Sequence, residues 1–329
     1  MTLAQLVNRF ETVERSIVVV NRTDPDPVHD MLADTFGENA VRIVDHRPVG
    51  DGGPGTAPAD DWVSARPPDG PGADDVEYTI DVAALHRNDS VPFDGTQPSD
   101  IENLVLLLED GDVVAGSTLE ELTEAVLFVN SDLYITGTRG LDELELPGVI
   151  TGLDDTLFTL RGYPDSNRQK LLLITISRFI ERVAWTAEAG TIRSSFQRLS
   201  RINDELGTRR VYERVADAGV DAHLYGVPDD PPSDLDATIH GGRSTDFTDS
   251  WFVVFEPPGG PGGATAENGG AAGDEPAGGT TSPTNDLERG IEGGVGLLAV
   301  EVEPRLWRGV WTFDPDRIRT MTRYIRRHL

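Results

Sequence analysis

"SRFIERVAWTAEAGTIRSSFQRLSRI", residues 177–202, is the stretch whose reading decides the fold. Leu172, Ile176, Phe179, Ile180, Val183 and Ala187 recur at the spacing that gathers them on one helical face. That predicts a helix over 167–189, starting near Ser166 and stopped by Gly190. Beyond the glycine, Phe196, Leu199 and Ile202 fall three apart, which predicts a second, shorter helix over 195–205. The first helix also carries a polar stripe. Arg178, Arg182, Trp185 and Ala189 follow i, i+4, i+7, i+11 beside the apolar face. Two arginines at i, i+4 repel mildly, so nearby acids, another domain or a bound anion must compensate. Arg178 can reach Glu181, and Trp185 beside Arg182 permits a cation–π contact.

Downstream, "LSRINDELGTRRVYERVADAGV" (199–220) predicts a third helix over 208–218, ended by Gly219. Helix, Gly207 turn and Arg-bearing helix together resemble a winged helix-turn-helix, with Arg209, Arg210 and Arg214 as phosphate or base contacts. The competing expectation is that Tyr212 and Val215 pack on a sheet while those arginines pair with Asp204, Glu205, Glu213 and Asp217. The acidic "GVPDDPPSDLDAT" that follows would make a poor basic wing, and phosphate contacts weaken steeply with salt. "VDAHLYG", "SWFVVFE", "VGLLAVEVE" and "LWRGVWTF" then read as strands. A last helix begins at Asp314-Pro315 and ends in "RRHL", with cations favourably placed against its dipole.

Upstream, strands and helices alternate. "SIVVVN" and "AVRIVD" read as strands around a helix that Asp26-Pro27 would start and Gly37 would close. "NLVLLLE" and "GDVVAGS" bracket an Asp110-Gly111 hairpin turn. Ser117 to Glu120 matches a capping box for a helix over 118–128, and "DLYITG" reads as a further strand. Two segments are expected to stay disordered: 48–76, rich in Pro, Gly and Asp, and the Gly/Ala/Pro tract 257–294. The second lies between strand patterns, so it reads as a long loop within one sheet, which closure entropy tolerates. The expected architecture is mixed α/β (α+β). Residues 1–165 form an N-terminal α/β region. Residues 166–329 form a helical segment on a mostly antiparallel sheet, closed by a C-terminal helix.

Composition sets the physical setting. The chain has 329 residues, 57 acids against 28 bases, a formal charge of −29, one lysine (Lys170) and no cysteine. Disulfides, thiolate nucleophiles and Cys-based metal sites are excluded. Acid excess with almost no lysine resembles the proteins of salt-in halophilic archaea. At about 1 M salt the Debye length is about 3 Å, so local charge clusters matter more than the total. No signal-type leader or membrane-length apolar run is seen, which predicts a cytoplasmic protein. None of the six histidines sits at metal-ligand spacing. His223, alternating with Ala222 and Leu224 in a strand, reads as structural. No nucleophile-elbow motif occurs, and the Gly-Pro-Gly-Gly run lacks the helix a phosphate loop needs. No metal or cofactor is expected.

The blocks "ITISRFIERVAWTAEAGTIRSSFQRLSRI", "VYERVADAGVDAHLYGVPD", "DSWFVVFE", "GLLAVEVEP" and "RGVWTFDPDRI" resemble, in this order, the DICT sensory domain, over residues 166–329. The long Gly-rich insertion departs from that pattern. The resemblance implies a sensory input module of the kind associated with diguanylate cyclases and two-component systems. With no output domain recognisable, it implies a separate partner protein, no catalysis and no nucleic acid. Arg178, Arg182, Trp185 and Gln197 are the expected ligand- or partner-binding residues. The alternative expectation is a DNA-binding regulator working through 199–220.

Overall fold

The computed structural model describes residues 2–23, 27–36, 41–44, 63–66, 77–80, 85–93, 95, 100–129, 145–161, 167–204, 206–261 and 283–329. Helix α1 (Leu3–Val7) precedes β1 (Arg15–Val20), α2 (Pro27–Phe36) and β2 (Val41–Val44). A small hairpin, β3 (Val63–Arg66) with β4 (Glu77–Ile80), follows. Strands β5 (Leu104–Glu109) and β6 (Asp112–Thr118) meet at Asp110-Gly111, both with positive φ as a two-residue hairpin turn requires. A four-stranded sheet results, in the order β2-β1-β5-β6. Helix α3 (Leu119–Val129) and the single turn α4 (Gly148–Thr151) complete this layer.

The second sheet has seven strands. They are β7 (Phe158–Arg161), β8 (Thr191–Arg198), β9 (Asp221–Val227), β10 (Thr238–Gly241), β11 (Ser250–Glu256), β12 (Val295–Glu303) and β13 (Leu306–Thr312). Their order is β10-β9-β8-β11-β12-β13-β7. The β9 pairings to β8 and β10 are parallel and the other four are antiparallel. Side chains alternate along each strand. Val253 and Phe255 of β11 face one side, Phe252 and Val254 the other. The first side is covered by α5 (Asn167–Ala187), with α6 (Ser200–Asp204) and α7 (Leu206–Asp217) beside it. The second carries α1 and α10 (Pro315–His328), with the turn α8 (Thr245–Thr248) at its edge. Asp314 caps α10 through Asp316 and Arg317 N–H, with Pro315 inside the first turn.

Helix α5 joins the two sheets. Its Leu172, Ile176, Phe179, Ile180 and Val183 share one core with Ile17 and Val105 of the small sheet and Ile192, Leu224 and Val253 of the large one. Both α1 and β7, although they precede residue 166, are built into the layers of the large sheet.

Four expectations are corrected. Residues 191–198 are not the start of a helix but β8, third in the large sheet, and only Ser200–Asp204 is helical. Ile192, Ser194 and Phe196 also fit a period of two, and β9 and β11 supply hydrogen bonds that local spacing does not reveal. Gly190 enables the switch. Its φ is +110°, and a Cβ there would lie 2.5 Å from the Glu256 carbonyl oxygen. The tract 257–294 is not loop to its end, because Pro283–Gly293 form α9. Leu287 and Ile291 pack on the main core, and Arg289 reaches Asp154 at 3.1 Å and sits 4.4 Å above the Phe313 ring. Within 48–76, Val63–Arg66 pair with Glu77–Ile80, so that segment is not loop throughout; β-formers on the two strands meet across a long connection. The capping box is Thr118–Glu121, one residue later than expected. Ser117 is turned inward, where its Oγ accepts from Val149 N–H. The expected strand 132–137 and the caps at Asp26, Gly37 and Ser166 lie outside the described residues.

Candidate functional site

The four expected site residues fall into separate environments. Arg178 is buried. Its Nη1 donates to Glu181 Oε2 at 2.5 Å and its Nη2 to Thr208 Oγ1 at 2.6 Å. The other Glu181 oxygen accepts from the Tyr212 hydroxyl at 2.8 Å. Burial, then the adjacent carboxylate, pushes the Tyr212 hydroxyl well above its ordinary value, which keeps it a donor. The like-charge problem on α5 is thus met inside the fold, by a carboxylate one turn away and by α7.

Arg182 and Trp185 are half-buried at the edge of the same helix, with Trp185 against the main core. Gln197 is elsewhere. It sits in β8 at a bulge between Ser195 and Arg198, with φ +57°, and its Oε1 accepts from Arg201 Nη1 at 2.6 Å. The chain reversal after Gly190 therefore brings β8 under α5 without joining Gln197 to the Arg178 network.

The helix-turn-helix-like stretch is present as α6 and α7, with Tyr212 and Val215 buried. Arg209 is engaged by Glu213 at 2.9 Å, Asn203 at 3.2 Å and Asp234 at 2.5 Å. Arg210 and Arg214 are exposed. The acidic segment after β9 folds back on this unit. Asp229 accepts from the Ser200 N–H, the Ser200 hydroxyl and Arg198 Nε, and the backbone bond leads in holding its carboxyl far below the usual range.

On the opposite face of the large sheet lies a group that sequence reasoning missed. His223 Nε2 stands 2.9 Å from Asp221 Oδ2, and His223 Nδ1 stands 2.9 Å from His240 Nε2. His240 lies flat on Tyr225, with ring centroids 4.3 Å apart and planes 7° apart. Deeper in the same face, Arg193 pairs with Glu256 at 2.8 Å. His223 and His240 are 17 positions apart, and only the parallel pairing of β9 with β10 makes them neighbours. The one available signal was the alternation of His223 and Tyr225 on a single strand face.

No protein-family model matches the chain, and no curated protein matches it. A polyphosphate kinase from Porphyromonas gingivalis is similar at 11% identity over 98% of this chain and 44% of that one, with a TM-score of 0.27. A likeness at that level assigns neither fold nor activity. Among the described residues no helix is long and apolar enough to cross a membrane.

Near the start of α3, Thr23, Glu102, Asn103, Thr118, Glu120 and Glu124 line an open cleft of about 600 Å³. Thr23 and Asn103 are hydrogen-bonded across it at 2.9–3.3 Å. Its three glutamates give it an acidic wall.

Proposed function

We propose that the protein is a non-enzymatic sensory or signal-input module of a halophilic archaeon, acting in the cytoplasm. It senses a small ligand or relays a signal to a separate partner protein. The observation that carries this reading is the place of α5. One helix contributes to the core of both sheets, and its half-buried edge carries Arg182 and Trp185. A ligand or partner at that edge would act on both layers through one rigid element. The reading also rests on the resemblance of residues 166–329 to the DICT sensory domain. Arg182 would supply charge-assisted hydrogen bonds and Trp185 a flat apolar wall. Arg178, engaged by Glu181 and Thr208, would hold α5 in register rather than meet the ligand.

The alternative, a DNA-binding regulator using 199–220, has less support. Arg209, central to that surface, is already taken by two carboxylates. Native purification in molar KCl with mass spectrometry of co-purifying small molecules, together with partner pull-down, tests the proposal. Wild type is expected to retain a ligand or partner that Arg182→Ala and Trp185→Ala lose while folding normally. Unchanged capture by both variants would remove this surface, and salt-dependent DNA retention would favour the alternative.

A further inference from the structure

We propose that Asp221, His223 and His240 form a proton-responsive clamp that ties edge strand β10 to β9 and lets go when the histidine pair takes up two protons. The inference stands on the outer face of the large sheet and does not depend on the α5 surface.

The proton count follows from the hydrogen bonds. An ionised carboxylate only accepts, so His223 Nε2 must carry the hydrogen that meets Asp221 Oδ2 at 2.9 Å. In the neutral pair, His223 Nδ1 is then the acceptor and His240 Nε2 the donor across their 2.9 Å contact. One added proton leaves that contact intact. It sits either on His240 Nδ1, or on His223 Nδ1 with His240 changing tautomer to accept. A second added proton places a hydrogen on each of the two facing nitrogens, and the contact becomes repulsive. The geometry is that of a shared proton and not of a chelate. The ring centroids are 5.1 Å apart with only 22° between planes, so the facing nitrogens point at each other along the line of centres.

The surroundings set the direction of the response. Arg193 from β8, itself paired with Glu256 of β11, bears on His240, as do His223 and Asp221. Burial, then His223 and Arg193, hold His240 below the ordinary imidazole value, with Asp221 opposing. Tyr225 on β9 stacks on His240 and senses Arg326 of α10. Asp246, the acid within α8, is engaged by the Tyr324 hydroxyl at 2.5 Å. Arg243 follows β10 and is exposed. Asp221 is the acid hydrogen-bonded to the pair, and its side chain is 63% exposed, so it holds His223 without sealing the site from water.

What the clamp holds is small. Strand β10 has four residues and, among the described residues, lies at the sheet edge and pairs only with β9. Besides its ladder to β9, Ile239 on the core and His240 on Tyr225, the His223 contact is one of the few side-chain ties that fix it.

Amide hydrogen exchange of the full chain in molar KCl tests this. Protection of residues 238–241 is read relative to β12 at each pH, which cancels the intrinsic pH dependence of exchange. Between about pH 7.5 and about pH 5, wild type should lose up to roughly tenfold in relative protection, the size that losing one hydrogen bond supplies. His240→Gln and His223→Gln should each remove that pH dependence. Asp221→Asn should move the midpoint to lower pH, because the charge that opposes the depression of His240 is lost. Unchanged protection of β12 in each variant establishes that the fold is intact. Equal relative protection at both pH values in wild type, or an equal loss in wild type and both histidine variants, would overturn the proposal.

Discussion

The two faces of strand β9 and its neighbours hold polar clusters that differ in one respect, access to water. Under α5, Arg178 and Glu181 are 8% and 2% exposed and are closed over by Tyr212 and Thr208. On the outer face, the Asp221 side chain is 63% exposed and that of His223 18%. The inner cluster pairs a guanidinium with a carboxylate. The outer one is built on two imidazoles, the side chain whose ordinary titration falls nearest neutral pH. Sealing a charge makes its partner indispensable, while leaving a histidine near water makes its protonation adjustable. One sheet thus separates a cluster suited to holding structure from a cluster suited to responding.

Breaking the inner cluster should cost most. Glu181→Ala leaves Arg178 buried without its carboxylate and should lose about 3–5 kcal/mol by chemical denaturation in molar KCl. A loss below about 1 kcal/mol would mean the pair is wetter than its burial indicates. Replacing Arg178 and Glu181 together by Met and Leu should recover most of the loss, because no buried charge is then left to be desolvated. Tyr212→Phe removes one hydrogen bond to a charged acceptor and should cost about 1.5–3 kcal/mol. If its cost adds in full to that of Glu181→Ala in the double variant, the two residues do not form one network.

How far this contrast was legible in the sequence depends on the range of the interactions. Helix α5 was visible from its own spacing, and Arg178 with Glu181 one turn later was visible as a pair. Strands β11 to β13 were legible as dense β-branched and aromatic runs, and their neighbourhood survived the long insertion, as one sheet. Strand β8 was not legible, because "TIRSSFQR" fits both periods and the ladders that decide it come from 29 to 65 positions away. Helix α9 was hidden by the glycines around it. Its Leu287 and Ile291 declare a helix only once α5 and Phe313 are there to receive them. The His223–His240 contact needs a parallel register that no local pattern encodes.

Smaller effects sharpen the comparison. Arg182→Ala, at the half-buried edge of α5, should change stability by less than about 1 kcal/mol. A loss as large as that of Glu181→Ala would place Arg182 inside the sealed cluster. Replacing residues 262–282 by a short Gly-Ser turn, with α9 kept, should shift stability by no more than about 1 kcal/mol on loop-closure grounds. Extending the deletion through α9 should cost clearly more, since Asp286, Arg289 and Ile291 are anchored in the fold.

The most direct test of the two-faced account is the pH dependence of stability, measured by urea denaturation at constant molar KCl for wild type, His240→Gln and Tyr212→Phe. His240 is held below its ordinary value in the folded state, so the unfolded chain binds more protons near pH 6. The stability this histidine confers is complete above about pH 6.5 and is lost as pH falls through its lower folded value. Wild type should therefore lose more stability than His240→Gln between about pH 7.5 and about pH 5. Tyr212→Phe should be less stable than wild type by the same amount at both ends, because the Tyr212 hydroxyl is pushed well above its ordinary value and stays protonated throughout that window. Parallel curves for wild type and His240→Gln, or a Tyr212→Phe deficit that changes with pH, would contradict the account.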